Sequence, residues 1–241
     1  MIPRRIHYCW FGGKPLPLQA KRCIASWKYY LPDYEIVRWD EGNFDPSCHP
    51  FTADAYAAGR YAFVSDYVRM LVLRNSGGVY CDVDVEIKRS LNELLSADFF
   101  IGLEDSDRFA TSIIGAGAGH WLPSKMLAYY DSVKFDRRYL GQLVNVNKVS
   151  DLLLSYGFSG EDVSQSIENE KVLRIGLLAD AKGSACLDVP PFSRHLYAGT
   201  WRTRADKGFA SNLIRGFRKI PEYFYSWVAL QLYRLGVKFN S

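Results

Sequence analysis

Along Arg5 to Phe11 the side chains alternate, Ile6, Tyr8 and Trp10 on one side and His7, Cys9 and Phe11 on the other. Both sides are apolar or aromatic, so the stretch reads as a buried strand, and it stops at Gly12-Gly13. The period then lengthens: Cys23, Ile24, Trp27 and Leu31 recur at helical spacing until Pro32-Asp33 ends the run. Tyr34 to Trp39 returns to strand character. Strand, helix, strand is the opening of a parallel sheet with a crossover helix, which predicts an α/β fold.

From about Ala53 to Asn75, Ala62, Phe63, Tyr67, Val68, Leu71 and Val72 fall at helical intervals, and Gly77-Gly78 offers the exit. The pattern predicts one helix there. Val79 to Ile87 then alternates without a break: Val79, Cys81, Val83, Val85 and Ile87 on one side, Tyr80, Asp82, Asp84 and Glu86 on the other. This predicts a single strand with one apolar and one acidic face. Further on, the reading is a short helix at Leu91–Leu95, a strand at Phe99–Leu103, and a glycine-rich strand and turn at Thr111–Gly119. Helices are expected at Trp121–Val133 and Lys148–Tyr156, a short helix or strand at Lys171–Leu178, and a strand or loop at Arg194–Trp201 that reaches back to the core. No internal repeat or low-complexity tract interrupts this order.

Composition changes the picture in three places. At 241 residues and 48% hydrophobic, the chain suffices for one substantial domain with an ordinary core. Cys9, Cys23, Cys48, Cys81 and Cys186 are odd in number and lack metal-ligand spacing, which disfavours a disulfide framework or structural zinc and fits a reducing cytoplasm. The N-terminus lacks the apolar run of a signal peptide, so a cytoplasmic protein is expected. Charge is uneven: from Trp201 onward eight basic and two acidic residues give +6, so residues 1–200 of a chain at +4 carry −2. The body therefore has no basic face for nucleic acid. A domain over residues 1–205 and a basic, aromatic, helical tail over 206–241 follow. The tail has no run of the ~20 apolar residues needed to span a bilayer. It is read as an amphipathic element on an anionic cytoplasmic membrane face, or as a hairpin packed on protein.

Two residues apart on a strand, Asp82 and Asp84 would leave the same face about 6–7 Å apart in Cα terms. Two anions so placed repel, unless a cation sits between them or solvent screens them. Carboxylate-only ligation suits Mn²⁺ or Mg²⁺, which commonly complete their shells with water and substrate phosphates. A bare Asp-x-Asp on an exposed strand is the ordinary alternative. Asp66 and Arg69, three apart on a helix, either form a surface ion pair or belong to the same site.

Four blocks in order carry a family resemblance: Ile2-Pro3, Ile6 to Gly13, Tyr61 to Arg69, and Gly77 to Val85. Together they resemble glycosyltransferase family 32, a group of DXD-containing sugar transferases of capsular and lipopolysaccharide synthesis whose core is shared with clostridial toxin glucosyltransferases. The resemblance implies a GT-A type fold, a mixed central sheet flanked by helices, with the nucleotide at the carboxyl ends of the parallel strands. It implies that Asp84 ligates the metal directly, and that Asp82 does so through water or else contacts the ribose. Asp66 would meet donor-sugar hydroxyls and Arg69 the sugar and phosphate. Trp10 either stacks under the nucleobase or fills the core. The late block Arg194 to Trp201 is similar to the family's His followed by Gly-Ser-Trp, implying His195 on the metal or diphosphate and Trp201 closing over the donor. Leu196 stands where relatives often carry a second His, and Cys81 where they often carry Leu.

The expected activity is transfer of a sugar, with retention of configuration, from a nucleotide-diphospho-sugar to a saccharide acceptor, lipid-linked, in bacterial surface polysaccharide synthesis. The other classes to weigh are a metal-dependent phosphohydrolase or nucleotidyltransferase and a non-catalytic sugar-binding or scaffold subunit. His7 is expected as a satisfied core imidazole, Glu104, Asp105 and Asp107 as acceptor-side or solvated loop acids, and Gly115, Gly117 and Gly119 as permitting close approach of the acceptor.

Overall fold

A computed structural model of the chain describes residues 1–178 and 189–197. In chain order the elements are β1 (Arg5–Cys9), α1 (Leu18–Tyr30), β2 (Glu35–Trp39), α2 (Pro50–Ala57), α3 (Tyr61–Ser76), β3 (Gly78–Cys81) and β4 (Val85–Ile87). They continue with β5 (Phe99–Asp105), β6 (Arg108–Ala116), α4 (Trp121–Ser132), α5 (Asn145–Tyr156), β7 (Gln165–Ile167), β8 (Glu170–Leu173) and β9 (Ser193–His195). The seven-stranded sheet has the order β2-β1-β3-β6-β5-β8-β7, and β4 and β9 form a separate pair. Strands β2, β1 and β3 run parallel, β6 is antiparallel to both its neighbours, and β5 and β8 are again parallel, so the sheet is mixed. The predicted α/β class and central mixed sheet flanked by helices hold.

Strand alternation distributes the core to both faces, because successive side chains leave a strand on opposite sides. Cys9, Tyr80, Phe99, Ile101, Leu103, Ile114 and Val172 pack with α2 to α5 on one face. Ile6, Tyr8, Val79, Cys81, Phe100, Ile113 and Leu173 pack with α1 on the other. On that second face Trp27 is fully buried, and its indole N–H donates to the carbonyl of Val85 at 2.8 Å. Ser26 Oγ accepts from the amide of Ile87 at 2.9 Å. Helix α1 thus satisfies backbone groups of β4, a strand outside the main sheet, that would otherwise be buried without partners.

Two predicted elements differ. The single helix expected from Ala53 to Asn75 is two, α2 and α3, separated at residues 58–60. Gly59 there takes φ +66°, a left-handed conformation that helical periodicity does not reveal. The unbroken strand expected from Val79 to Ile87 stops at Cys81 and resumes at Val85. Between them Asp82 keeps one bond to the sheet, its amide to the Ser112 carbonyl at 2.7 Å, and the Val85 amide closes a turn onto the Asp82 carbonyl at 3.0 Å. Strand β4 then pairs with β9 in the register Val85↔His195, Glu86↔Arg194, Ile87↔Ser193. Among the described residues no helix is long and apolar enough to cross a membrane. The tail from residue 206 and Trp201 lie outside the described residues.

Candidate active site

The parallel strands β2, β1 and β3 end on one edge, and the break after β3 places Asp82 and Asp84 there in a turn rather than along a strand. The pairing of β4 with β9 sets His195 opposite Val85, one residue beyond Asp84. The amide of Leu196 donates to the Asp84 carbonyl at 2.9 Å, which fixes the exit of β9 against the same turn. As a result one ligand atom from each of Asp82, Asp84 and His195 lies within 4.8 Å of the others, and Asp84 Oδ1 is 3.4 Å from His195 Nε2. All three side chains are half-buried.

Arg69 reaches this turn from the middle of α3. Its Nη2 donates to Asp82 Oδ1 at 2.9 Å and lies 3.3 Å from Asp66 Oδ1. Its guanidinium stacks over the Tyr80 ring, 4.3 Å from the centroid. The Tyr80 hydroxyl donates to the same Asp82 oxygen at 2.9 Å. Arg69 is only 4% exposed, which rules out the surface ion-pair reading of Asp66 and Arg69. A planar fork held between two carboxylates and an aromatic face is a geometry Arg fills and Lys does not.

The electrostatics follow from crowding acids in a partly dry place. Burial pushes the Asp66 carboxyl up to about 7, with Arg69 opposing and the charge of Asp82 adding. Burial likewise raises Asp82 above its ordinary value, opposed by Arg69 and reinforced by Asp84. For His195 burial works against the imidazolium, but the hydrogen bond and charge of Asp84, with the charges of Asp82 and Glu104, outweigh it and hold the ring above its ordinary value. All three groups are thus biased toward their protonated forms, so a cation bound here would compete with protons for the same atoms.

Two carboxylates and an imidazole nitrogen are a donor set for a divalent cation of the Mn²⁺ type, with oxygen ligation predominating. Their separation is within reach of one ion after modest side-chain rotation, so the residues fit the metal that the motif implies.

The other anticipated residues are also placed. Trp10 follows β1 at the same edge, half-buried against the core of the α1 face, with its indole N–H donating to the Lys14 carbonyl at 2.5 Å. Its polar atom is engaged within the loop. Gly12 lies two residues further on, and a Cβ there would lie 2.3 Å from the Tyr61 ring. His7 is a satisfied core imidazole: Nδ1 accepts from Trp39 Nε1 at 3.1 Å and Nε2 donates to the Gly77 carbonyl at 3.0 Å. Glu104 accepts from the Tyr197 hydroxyl at 2.8 Å, and the Tyr197 ring stacks 3.9 Å from that of His195. Gly115 serves packing instead of the acceptor, because a Cβ there would fall 2.1 Å from the Phe100 ring.

Sequence reasoning missed Asn145. It lies at the start of α5, and its Nδ2 donates to Asp66 Oδ1 at 2.8 Å. The only local signal was an Asn opening a helix, and its partner is 79 residues away. The role of Tyr80 was missed as well, although it sits two residues before Asp82 on the polar side of the pattern.

Residues 17–101 match the family described as "Glycosyltransferase sugar-binding region containing DXD motif", a span that includes Asp66, Arg69, Asp82 and Asp84. The chain is 28% identical over 123 residues to inositol phosphoceramide mannosyltransferase 3 of Schizosaccharomyces pombe, covering 49% of this chain and 34% of that protein. It is 26% identical over 175 residues to inositol phosphoceramide mannosyltransferase 1 of the same yeast, covering 65% and 51%. The chain thus spans between a third and about half of the length of these curated relatives. Among solved structures, the PaToxG glycosyltransferase superimposes with a TM-score of 0.51 at 20% identity, over 65% of this chain and 69% of that one. The resemblance to glycosyltransferase family 32 therefore holds, in sequence over the DXD region and in the GT-A type of fold.

Proposed function

We propose that the protein is a divalent-metal-dependent glycosyltransferase that moves a hexosyl group from a nucleotide-diphospho-sugar to a saccharide acceptor. The observation that carries this reading is the convergence of Asp82, Asp84 and His195 at the carboxyl edge of the parallel strands, inside or beside the matched DXD region. Open α/β sheets bind their ligands at that edge.

Asp84 and His195 would hold the cation, with Asp82 completing the set directly or through water. When bound, Mn²⁺ or Mg²⁺ supplies Lewis-acid stabilisation of the charge that grows on the departing diphosphate. The imidazole in the donor set favours Mn²⁺. Arg69 holds Asp82 from behind and adds a fixed positive charge near the leaving group, where preorganised charge is most effective. Asp66 accepts hydrogen bonds from sugar hydroxyls, the Trp10 ring stacks on the nucleobase, and Trp201 closes over the donor. We assign retention of configuration through front-side attack by the acceptor hydroxyl. This route needs no nucleophilic carboxylate, and the acids that line the site are engaged with Arg69 or His195.

For the acceptor we propose a lipid-borne saccharide. The relatives' names point to a sugar placed on a lipid headgroup, and the basic aromatic stretch from residue 206 suits an anionic cytoplasmic leaflet. The family resemblance supports a place in bacterial surface polysaccharide synthesis.

The test is to incubate the chain with UDP-sugars and GDP-mannose, with and without Mn²⁺, and to follow release of free nucleoside diphosphate. Release from at least one donor, abolished by EDTA and restored by Mn²⁺, is expected. Equal release with and without the metal contradicts the proposal, and so does donor binding without any turnover, which would mark a scaffold subunit.

A further inference from the structure

We infer that Asn145, itself set by Thr111, is a positioning residue that aims Asp66 at the donor sugar. This rests on the transferase reading above. Asn145 is 3% exposed and Thr111 5%, and the side-chain bonds joining them and Asp66 are to protein groups. Thr111 Oγ1, on β6, donates to Asn145 Oδ1 at 3.1 Å, and Asn145 Nδ2 donates to Asp66 Oδ1 at 2.8 Å. The direction of this relay is fixed by chemistry. Asp66 Oδ1 already faces the Arg69 guanidinium at 3.3 Å and so serves as an acceptor, which turns the amide nitrogen toward Asp66 and the amide oxygen toward the threonine hydroxyl.

The consequence falls on the two oxygens of Asp66. Oδ1 takes Asn145 on one side and Arg69, at 3.3 Å, on the other. Among the described residues no hydrogen bond reaches Oδ2. Two donors on one oxygen, one of them on α5 and one on α3, fix the plane of the carboxylate and leave the second oxygen for a hydroxyl of the ligand. Arg69 is shared, since it also holds Asp82 at 2.9 Å, whereas Asn145 bonds only to Asp66 and Thr111 in this network. The sugar arm and the cation arm of the site therefore meet at one guanidinium, and Asn145 belongs to the sugar arm alone.

That division gives a readout that a general structural role would not produce. Full-length parent, Asn145→Ala and Thr111→Val are titrated calorimetrically, in the presence of Mn²⁺, with UDP and GDP and with UDP-glucose, UDP-galactose, UDP-N-acetylglucosamine and GDP-mannose. For the sugar nucleotide that the parent takes, Asn145→Ala is expected to bind about tenfold more weakly, as is usual for a residue that orients a binding group. Its affinity for the bare diphosphate should stay within about twofold, because it touches no group of the cation arm. Thr111→Val, close to isosteric, is expected to show the same selective loss to a smaller degree, and it decides the matter alone if the alanine variant melts early. Parental affinity for the sugar nucleotide in both variants overturns the inference, as does an equal loss for diphosphate and sugar nucleotide. A parent that binds none of the probes overturns the transferase reading and the inference with it.

Discussion

Arg69 sits between two acids with its guanidinium out of solvent, so its removal leaves more than one group unpaired. Breaking a buried ion pair on one side is among the costly single changes, at about 3–5 kcal/mol, because the stranded charge stays behind. Asp82 and Asp66 keep some solvent access, so Arg69→Met should lower unfolding stability by about 3 kcal/mol in a urea titration. Arg69→Lys should fall between, since it restores the charge without the planar fork. A methionine variant as stable as the parent would show that the cluster does not hold the fold together. At this scale the sequence was most informative where chemistry and spacing coincide: the pairs Asp82/Asp84 and Asp66/Arg69 were both picked out, and the structure joins them through one bond. It was least informative for Asn145 and Thr111, whose partners are remote and whose residue types are common at helix starts and in strands.

At the scale of elements, the strand containing the two aspartates shows why periodicity is an incomplete guide. Val83, Val85 and Ile87 all pack into the same cluster as Val79 and Cys81, so the hydrophobic alternation runs on undisturbed. What changes at Asp82 is the hydrogen-bond partner, from β6 to β9, and nothing in the pattern of side chains records that. The split between α2 and α3 is similar, marked only by Gly59. The short strand β8 was legible in part, within the undecided element at Lys171–Leu178, whereas β7 was not anticipated. Strand β6 offers a test of the packing account. A methyl group at Gly115 would overlap the Phe100 ring, and overpacking a filled core costs about 1–3 kcal/mol, so Gly115→Ala should lower the melting temperature clearly. Gly117→Ala is the control, because its nearest neighbour is the Asp98 carbonyl at an ordinary 3.6 Å, and it should melt close to the parent. Equal melting of the two would contradict the packing role given to Gly115.

For the whole molecule, the GT-A type of fold was readable because four blocks fall in one order, and the structure places three of them along a single sheet edge. The division of charge, −2 over residues 1–200 and +6 beyond, was readable from composition, while the disposition of the tail lies outside the described residues. On the membrane reading, each Lys or Arg near an anionic leaflet contributes roughly 1 kcal/mol, so the six from residue 206 onward, among aromatic residues, should be ample for adsorption. Full-length protein should pellet with phosphatidylserine-containing vesicles at low salt and be released at high salt, and a chain ending at Lys207 should stay in the supernatant. Equal pelleting of the two would place the tail on protein instead. Whether one turn and one short strand pair assemble a cation site for a diphosphate is decided by anomalous scattering at the manganese edge from crystals grown with Mn²⁺ and the preferred nucleoside diphosphate. A single strong peak is expected, bonded to a carboxylate oxygen of Asp84, to Nε2 of His195 and to diphosphate oxygens. A bound diphosphate with no manganese peak between those two side chains would contradict the proposed cation site.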